Sequence, residues 1–317
     1  MRICSLLPGA TEVVAALDLA DDLVGISHEC DFPPAIRNKP VLVRAVVEGD
    51  RATSADIHRQ VAASLGSNRR LYELDEPAFR RAKPELVITQ NLCHVCAVTP
   101  DQLQQAIAAL PAPPSLLTLN PTRLDDVLAD IERIGSATGK LSEAKAWTAA
   151  LRKRLDDLRA PVADRRNRPR VACLEWLDPL YTAGHWVPEM VEWAGGTEVL
   201  ASAGGPSRPI TWDQVRSAEP DVLVLMPCGF PIDRTLRELE RLAPEASWPG
   251  WESLPAVRHD RVFVVDGPSY FNRPGPRLVE GVAILATAIH PEVFGSDLPS
   301  GIQRMSRLPR TRSQSDA

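Results

Sequence analysis

Two cysteines separated by two residues, Cys93 and Cys96, stand in the stretch TQNLCHVCAVTP, directly after an apolar run. A C-x-x-C pair lets two thiolates reach one metal ion, and a zinc site ordinarily completes its ligand set with a second pair. His28 and Cys30, in SHECDFPP, are residues of the right type elsewhere in the chain. The quartet His28, Cys30, Cys93 and Cys96 is therefore one candidate metal centre, for zinc or an iron–sulfur cluster, and such a centre could be catalytic. The other fate of a cysteine is that of a small buried hydrophobe, the reading favoured for Cys4 and Cys173, which fall inside apolar runs. A thiol-redox role is weaker, because the pair does not open the following helix. The order Cys-His-Val-Cys also differs from the C-x-x-C-H of haem attachment.

The elements that must position these groups follow from periodicity. Arg2 to Leu6, Leu23 to Ser27, Glu85 to Thr89 and Ser115 to Leu119 read as strands, and Thr11 to Leu19 as a helix capped by Thr11. Thr99, Pro100 and Gln102 start another helix through a capping box. In the second half RVACLEW, DVLVLMP and RVFVVDG read as strands. PEMVEWAGG, RTLRELERLAP and a last stretch from about Arg277 to Ala288 read as helices. Strands alternating with helices predict an α/β protein with parallel, doubly wound sheets. AKPELVI (Ala82 to Ile88) matches AEPDVLV (Ala218 to Val224) in residue type at every position but the second, Lys83 against Glu219, so the halves are expected to be two lobes of similar fold. Between them Leu124, Leu128, Ile131, Ile134, Leu141, Trp147, Leu151, Leu155 and Leu158 recur at helical spacing. One continuous helix over this connector would span about 50–60 Å. The expected organisation is a lobe over 1–121, a backbone helix over 122–160, a lobe over 161–294 and a disordered tail over 295–317.

In open parallel sheets, ligands bind at the carboxyl ends of the strands. The loops that fall there are LPGATE with Pro8 and Gly9, SHECDFPP with His28 and Cys30, and QNLCHVCAV with Cys93 and Cys96. In the second half they are EWLDPLYTAGHW with Glu175, Trp176, Tyr181, His185 and Trp186, PCGF with Cys228, and DGPSYFNRPG with Tyr270 and Phe271. Trp176 and Trp186 either lie flat on a planar macrocycle or pack locally, and His185 either touches ligand or packs beside Trp186. His58, His259 and His290 read as surface residues.

Composition removes several function classes. A formal net charge of −5 offers nothing to nucleic acid or an anionic membrane. No apolar stretch approaches the roughly 20 residues that span a bilayer. The start MRICSLLPGATE lacks the pattern of a secretory signal, so the chain is expected in the cytoplasm with reduced thiols, or outside it if the true start lies upstream. No nucleophile elbow, P-loop or G-x-G-x-x-G occurs. A binding protein, not an enzyme, is expected.

Several segments together carry a resemblance: RICSLLPGATEVVAALDLADDLVGISHECDFP, AKPELVITQ, EWLDPLYTAGHWVPEMVEWAGG and ITWDQVRSAEPDVLVLMPCGF. They resemble the cobalamin and iron-siderophore substrate-binding proteins of ABC importers, over roughly residues 1 to 293, and most closely the cobalamin-binding subgroup. The resemblance implies two Rossmann-like lobes joined by one backbone helix, with a corrinoid such as cobalamin, or a related metal chelate, in the cleft between them. It also implies docking to an ABC importer through an acid on each lobe. Asp213 matches the second such position, with aspartate for the usual glutamate, and Glu76 matches the first approximately. Family members are exported or lipid-anchored, and cleft cysteines are not part of their pattern. A cytosolic corrinoid carrier or sensor would accommodate both departures.

Overall fold

Pro8 sets how the chain enters its first helix. Its fixed φ suits the first helical position and its missing N–H costs nothing there, so α1 (Pro8–Ala16) begins three residues before the expected cap. Thr11 lies buried inside that helix and donates to Leu7 O at 2.9 Å, so it is not the N-cap. The computed structural model describes residues 1–47, 49, 52–67, 69–90, 100–243 and 247–305. The chain separates into two units. The first holds Met1–Pro121, Asp125–Arg152 and Pro274–Pro276; the second holds Thr122–Leu124, Lys153–Arg273 and Arg277–Ala317.

In the first unit β1 (Ile3–Ser5), β2 (Leu23–Ser27), β3 (Val41–Ala45), β4 (Tyr72–Leu74), β5 (Leu86–Gln90) and β6 (Ser115–Leu119) form one sheet in the order β4-β3-β2-β1-β5-β6. All neighbours are parallel except β3 and β4. The helices with α1 are α2 (Ser54–Gly66), α3 (Glu76–Ala82), α4 (Pro100–Ala108), α5 (Leu124–Thr138) and α6 (Leu141–Arg159). Phe79 of α3 and Leu103 of α4 pack on Cys4, Leu42 and Val87 of the strands, so Cys4 is the buried hydrophobe expected of it. Burial pushes its thiol up to about 12. Four elements between 41 and 82, β3, α2, β4 and α3, were not among those read from the sequence. The helix α2 has a strong local signal nonetheless. Thr53 accepts from Asp56 N at 3.1 Å while Asp56 accepts from Thr53 N at 3.1 Å. Thr53→Ala breaks this box and is expected to cost about 1 kcal/mol in chemical denaturation.

The connector is two helices, not one. Gly139, at φ +75, ends α5 in the left-handed region, and α6 starts two residues later. Gly135 lies against Ala144, where a Cβ would collide. Asp125, near the start of α5, forms an ion pair with Arg152 of α6. In a straight helix those side chains would stand about 40 Å apart, so the helices fold back on each other. The expected 50–60 Å spine is thereby corrected: a left-handed glycine and close small-residue packing override helical periodicity.

The second unit contains β7 (Arg170–Leu177), β8 (Leu180–Thr182), β9 (Thr197–Glu198), β10 (Val222–Leu225), β11 (Val262–Val265) and β12 (Ile302–Arg304). Their order is β12-β11-β10-β7-β8, with β9 also on β7. Its helices are α7 (Val187–Trp193), α8 (Trp212–Ser217), α9 (Ile232–Leu242), α10 (Pro255–Arg258), α11 (Gly267–Tyr270), α12 (Leu278–Ile289) and α13 (Pro291–Phe294). Trp212 stacks on Trp248 and Trp251 tilts against both, with ring centroids 5.2 to 5.8 Å apart, in one core with Leu223, Leu225 and Val264 of this sheet. Of the tail expected to be disordered over 295–317, residues 295–305 instead return as β12, antiparallel to β11, and bury Met305 in the same core, while 306–317 lie outside the described residues. Alternating Ile302 and Arg304 find an open sheet edge there, which composition alone does not reveal. His290 also departs from its surface reading. It is 2% exposed, with Nε2 3.1 Å from Gly195 O.

The internal echo corresponds to the same joint built twice. In each copy the helix stops on a left-handed non-glycine residue, Lys83 (φ 44) or Glu219 (φ 41). Glu85 then accepts from Arg2 N at 2.7 Å, and Asp221 from Arg170 N at 2.8 Å. The same arginines reach back to the helix-end carbonyls of Ala82 and Ala218. Each joint ties the start of a first strand to the strand beside it. Among the described residues, no helix is long and apolar enough to cross a membrane.

Candidate functional site

Only the first part of β7 lies against β10, at Val171 to Leu174. Beyond that level β7 continues with Glu175, Trp176 and Leu177 and turns back as β8 at the carboxyl end of the strand, with Leu177 and Leu180 held in the second unit's core. Trp176 and Tyr181 are cross-strand partners on it, and both are half-buried. Trp176 tilts against Phe230 at 5.2 Å between centroids, and the Arg234 guanidinium covers the Phe230 ring at 3.7 Å. Cys228 N donates to Glu175 O at 3.0 Å, which fastens the loop after β10 to the hairpin and leaves the Cys228 side chain exposed. The Glu175 carboxylate accepts from Gly184 N at 3.2 Å and steadies the return of the chain. One rim thus presents an indole, a phenol, a thiol and a stacked cation together.

Not every expected residue belongs to it. Trp186 is 5% exposed and donates from Nε1 to Phe271 O at 2.8 Å, while Phe271 is fully buried. Both are core residues, which corrects their reading as ligand contacts: the indole N–H found a carbonyl only tertiary packing supplies. His185 is half-buried at φ 54, its ring 5.6 Å from that of Trp186, and burial pushes its pKa down, favouring the neutral imidazole. Tyr270 is half-buried, with the Arg277 guanidinium 5.7 Å from its ring centroid. Sequence reasoning missed Arg234 and the buried Phe230 that supports it and Trp176. Their signal was present, an aromatic four residues before a cation at a helix start.

In the first unit the carboxyl edge carries His28 and Tyr72. The His28 ring lies 5.9 Å from the Tyr72 ring, with Nδ1 3.2 Å from Val43 O. Tyr72 lies opposite Ala45 at the end of β3 and was not foreseen, because β4 was not. Cys30 is 5% exposed, with its sulfur 3.1 Å from Thr11 Oγ1. Gly9 is buried under the backbone of Pro274 and Gly275, where a Cβ on Gly9 would fall inside the Pro274 carbonyl. Its glycine is used for backbone packing, not ligand approach, which corrects its placement in the binding loop. Pro8 beside it is half-buried. The candidate metal centre gains no support: among the described residues no group of three or more His, Cys, Asp or Glu side chains could hold a metal ion. His28 and Cys30 have other partners, and Cys93 and Cys96 lie outside the described residues.

Two α/β units, each with loops at the carboxyl edge of a largely parallel sheet, place candidate ligand-contacting residues where such sheets ordinarily bind. The chain belongs to the periplasmic binding protein family, whose profile matches residues 3–268. It is 26% identical over 300 residues to an ABC transporter substrate-binding lipoprotein of Bacillus subtilis (strain 168), covering 92% of this chain and 81% of that protein. It is 24% identical over 290 residues to a vitamin B12-binding protein of Vibrio cholerae, covering 90% and 88%. Its fold matches the periplasmic heme-binding protein RhuT of Roseiflexus sp. RS-1 with TM-score 0.67 at 23% identity, over 93% of this chain and 98% of that one. The vitamin B12-binding protein BtuF of Vibrio cholerae matches with TM-score 0.64 at 21% identity, over 93% and 98%. These relatives are substrate-binding proteins rather than enzymes. The expectation of a cytoplasmic chain is overturned by this membership, because the family and its relatives are periplasmic or lipoprotein components. The argument for reduced thiols falls with it. Cys4, Cys30 and Cys173 are buried and Cys228 is exposed, with no disulfide among these four.

Proposed function

We propose that the chain binds a planar metal chelate of the corrinoid type, with cobalamin as the first candidate, and hands it to an ABC importer. The observation that carries the reading is the half-buried Trp176 and Tyr181 pair on the β7–β8 hairpin, with Trp176 seated on the buried Phe230 and the Arg234 guanidinium over the same ring. Aromatic faces suit a large flat ring system. His28 and Tyr72 offer a smaller aromatic pair on the rim of the first unit. Relatives named for vitamin B12 and neighbours titled for heme support a chelate of this size and chemistry. Importer docking falls to Asp213, whose side chain is 76% exposed in the first turn of α8, and to Glu76, in the first turn of α3.

Titration of purified protein with cyanocobalamin and, separately, with hemin tests this directly through the visible spectrum. Saturation by cobalamin in the micromolar range is expected. Spectra unchanged with both ligands at tens of micromolar would sink the proposal, and saturation by hemin alone would move the assignment to an iron tetrapyrrole. Trp176→Ala removes the half-buried indole and is expected to weaken binding on the order of tenfold or more. An unchanged affinity would take the hairpin out of the site.

A further inference from the structure

A small cavity in the first unit lies among α1, α5 and the carboxyl ends of β5 and β6. It is lined by Leu7, Val13, Gln90, Val127, Asp130 and Ile131, among others, and has room for about 10 Å³. That is about what one water molecule needs. Its walls are mostly apolar, but Asp130 is only 8% exposed. Arg133 donates to its Oδ1 at 2.8 Å and also holds Thr118 O at 2.7 Å. The second oxygen, Oδ2, is sealed from solvent and has no protein partner among the described residues. A buried carboxylate oxygen left unpaired costs more than a hydrogen bond ordinarily contributes. Gln90 is 9% exposed and brings a second polar side chain to the same walls.

We propose that this cavity is a resident water site in which one water donates to Asp130 Oδ2 and bonds the Gln90 side chain, linking α5 to the carboxyl end of β5. A water needs two or more polar partners to be held in an apolar setting, and these two side chains supply them. The site is separate from the proposed chelate-binding groups and stands whether or not that reading does. Burial, with the nearby charge of Asp126, pushes the Asp130 pKa up against the pull of Arg133, and a water donor at Oδ2 favours the carboxylate against that trend.

The test uses the full ligand-free protein. A crystal structure at a resolution that shows ordered water is expected to place a peak within hydrogen-bond reach of Asp130 Oδ2. Water–protein cross-relaxation in NMR is expected at the Val127 and Ile131 methyls. Val127→Ile adds a methylene of about the volume of one water, so both signals should vanish in that variant. A clean empty cavity in the wild type overturns the proposal, and so does a signal that survives Val127→Ile. Should that variant fail to fold, the wild-type map and cross-relaxation decide alone.

Discussion

Gly9→Ala is expected to destabilise the first unit by about 3 kcal/mol or more, the upper range for forced overpacking. The cause is backbone against backbone. The new methyl would meet the Pro274 carbonyl and lie 3.1 Å from Gly275 Cα, and a Cβ on Gly275 would in turn sit 2.9 Å from Gly9 Cα. Neither partner is the flexible end of a side chain, so nothing yields cheaply. Gly66→Ala makes the control, since a Cβ there meets nothing within 4 Å. In α2 that change should be neutral or stabilising by up to about 1 kcal/mol. Denaturant unfolding followed by circular dichroism compares the two. Equal midpoints for Gly9→Ala and wild type would refute the packing argument.

A comparable effect, dependent on pH, is expected from Glu198. Its carboxyl lies beside the buried Cys173, accepts from Leu200 N at 2.8 Å, and leaves Oε2 sealed without a protein partner among the described residues. Burial pushes it from its ordinary 4.5 up to about 7, against the bonds from Leu200 and Cys173, which pull it down. The folded state therefore holds the proton more tightly than the unfolded chain does. The stabilisation is fully present below about 4.5 and is lost as pH rises through about 7. The span corresponds to about 3 kcal/mol. Wild-type stability measured at pH 5 and pH 8 should fall by roughly that contribution, while Glu198→Gln, which carries no titrating proton, should lose the slope. A variant with the wild-type pH dependence would show that another group is responsible. Cys173 does not titrate in this window, because burial raises its thiol well above the ordinary value.

Much of the architecture could be read before any coordinates. β2 and β6 occupy the expected residues, and the strands at RVACLEW, DVLVLMP and RVFVVDG and the helices between them appear where hydrophobic periodicity put them. The paired AKPELVI and AEPDVLV segments announced two similar joints, and each has its arginine, acid and left-handed stop. The candidate site was legible as a set of loops but not as a set of contacts. Trp176 and Cys228 stand on the rim, whereas Trp186 and Phe271 from the same loops are buried. Nothing local distinguishes one indole from the other. Trp186 is buried because Phe271 O lies within reach of its N–H, and those residues are 85 apart in the chain.

What the sequence determined by itself was the alternation of strand and helix, the two similar halves and the loops at their strand ends. These are short-range properties, written in periodicity, proline and capping residues that act within one or two turns. Tertiary structure decided the rest. It folded the connector back at Gly139, closed the second sheet with β12, covered Gly9 with Pro274 and Gly275, and gave Cys30 a hydroxyl partner in Thr11. Each of those outcomes depends on which distant group arrives at a given backbone or side chain. A residue's own type and neighbours do not encode that arrival.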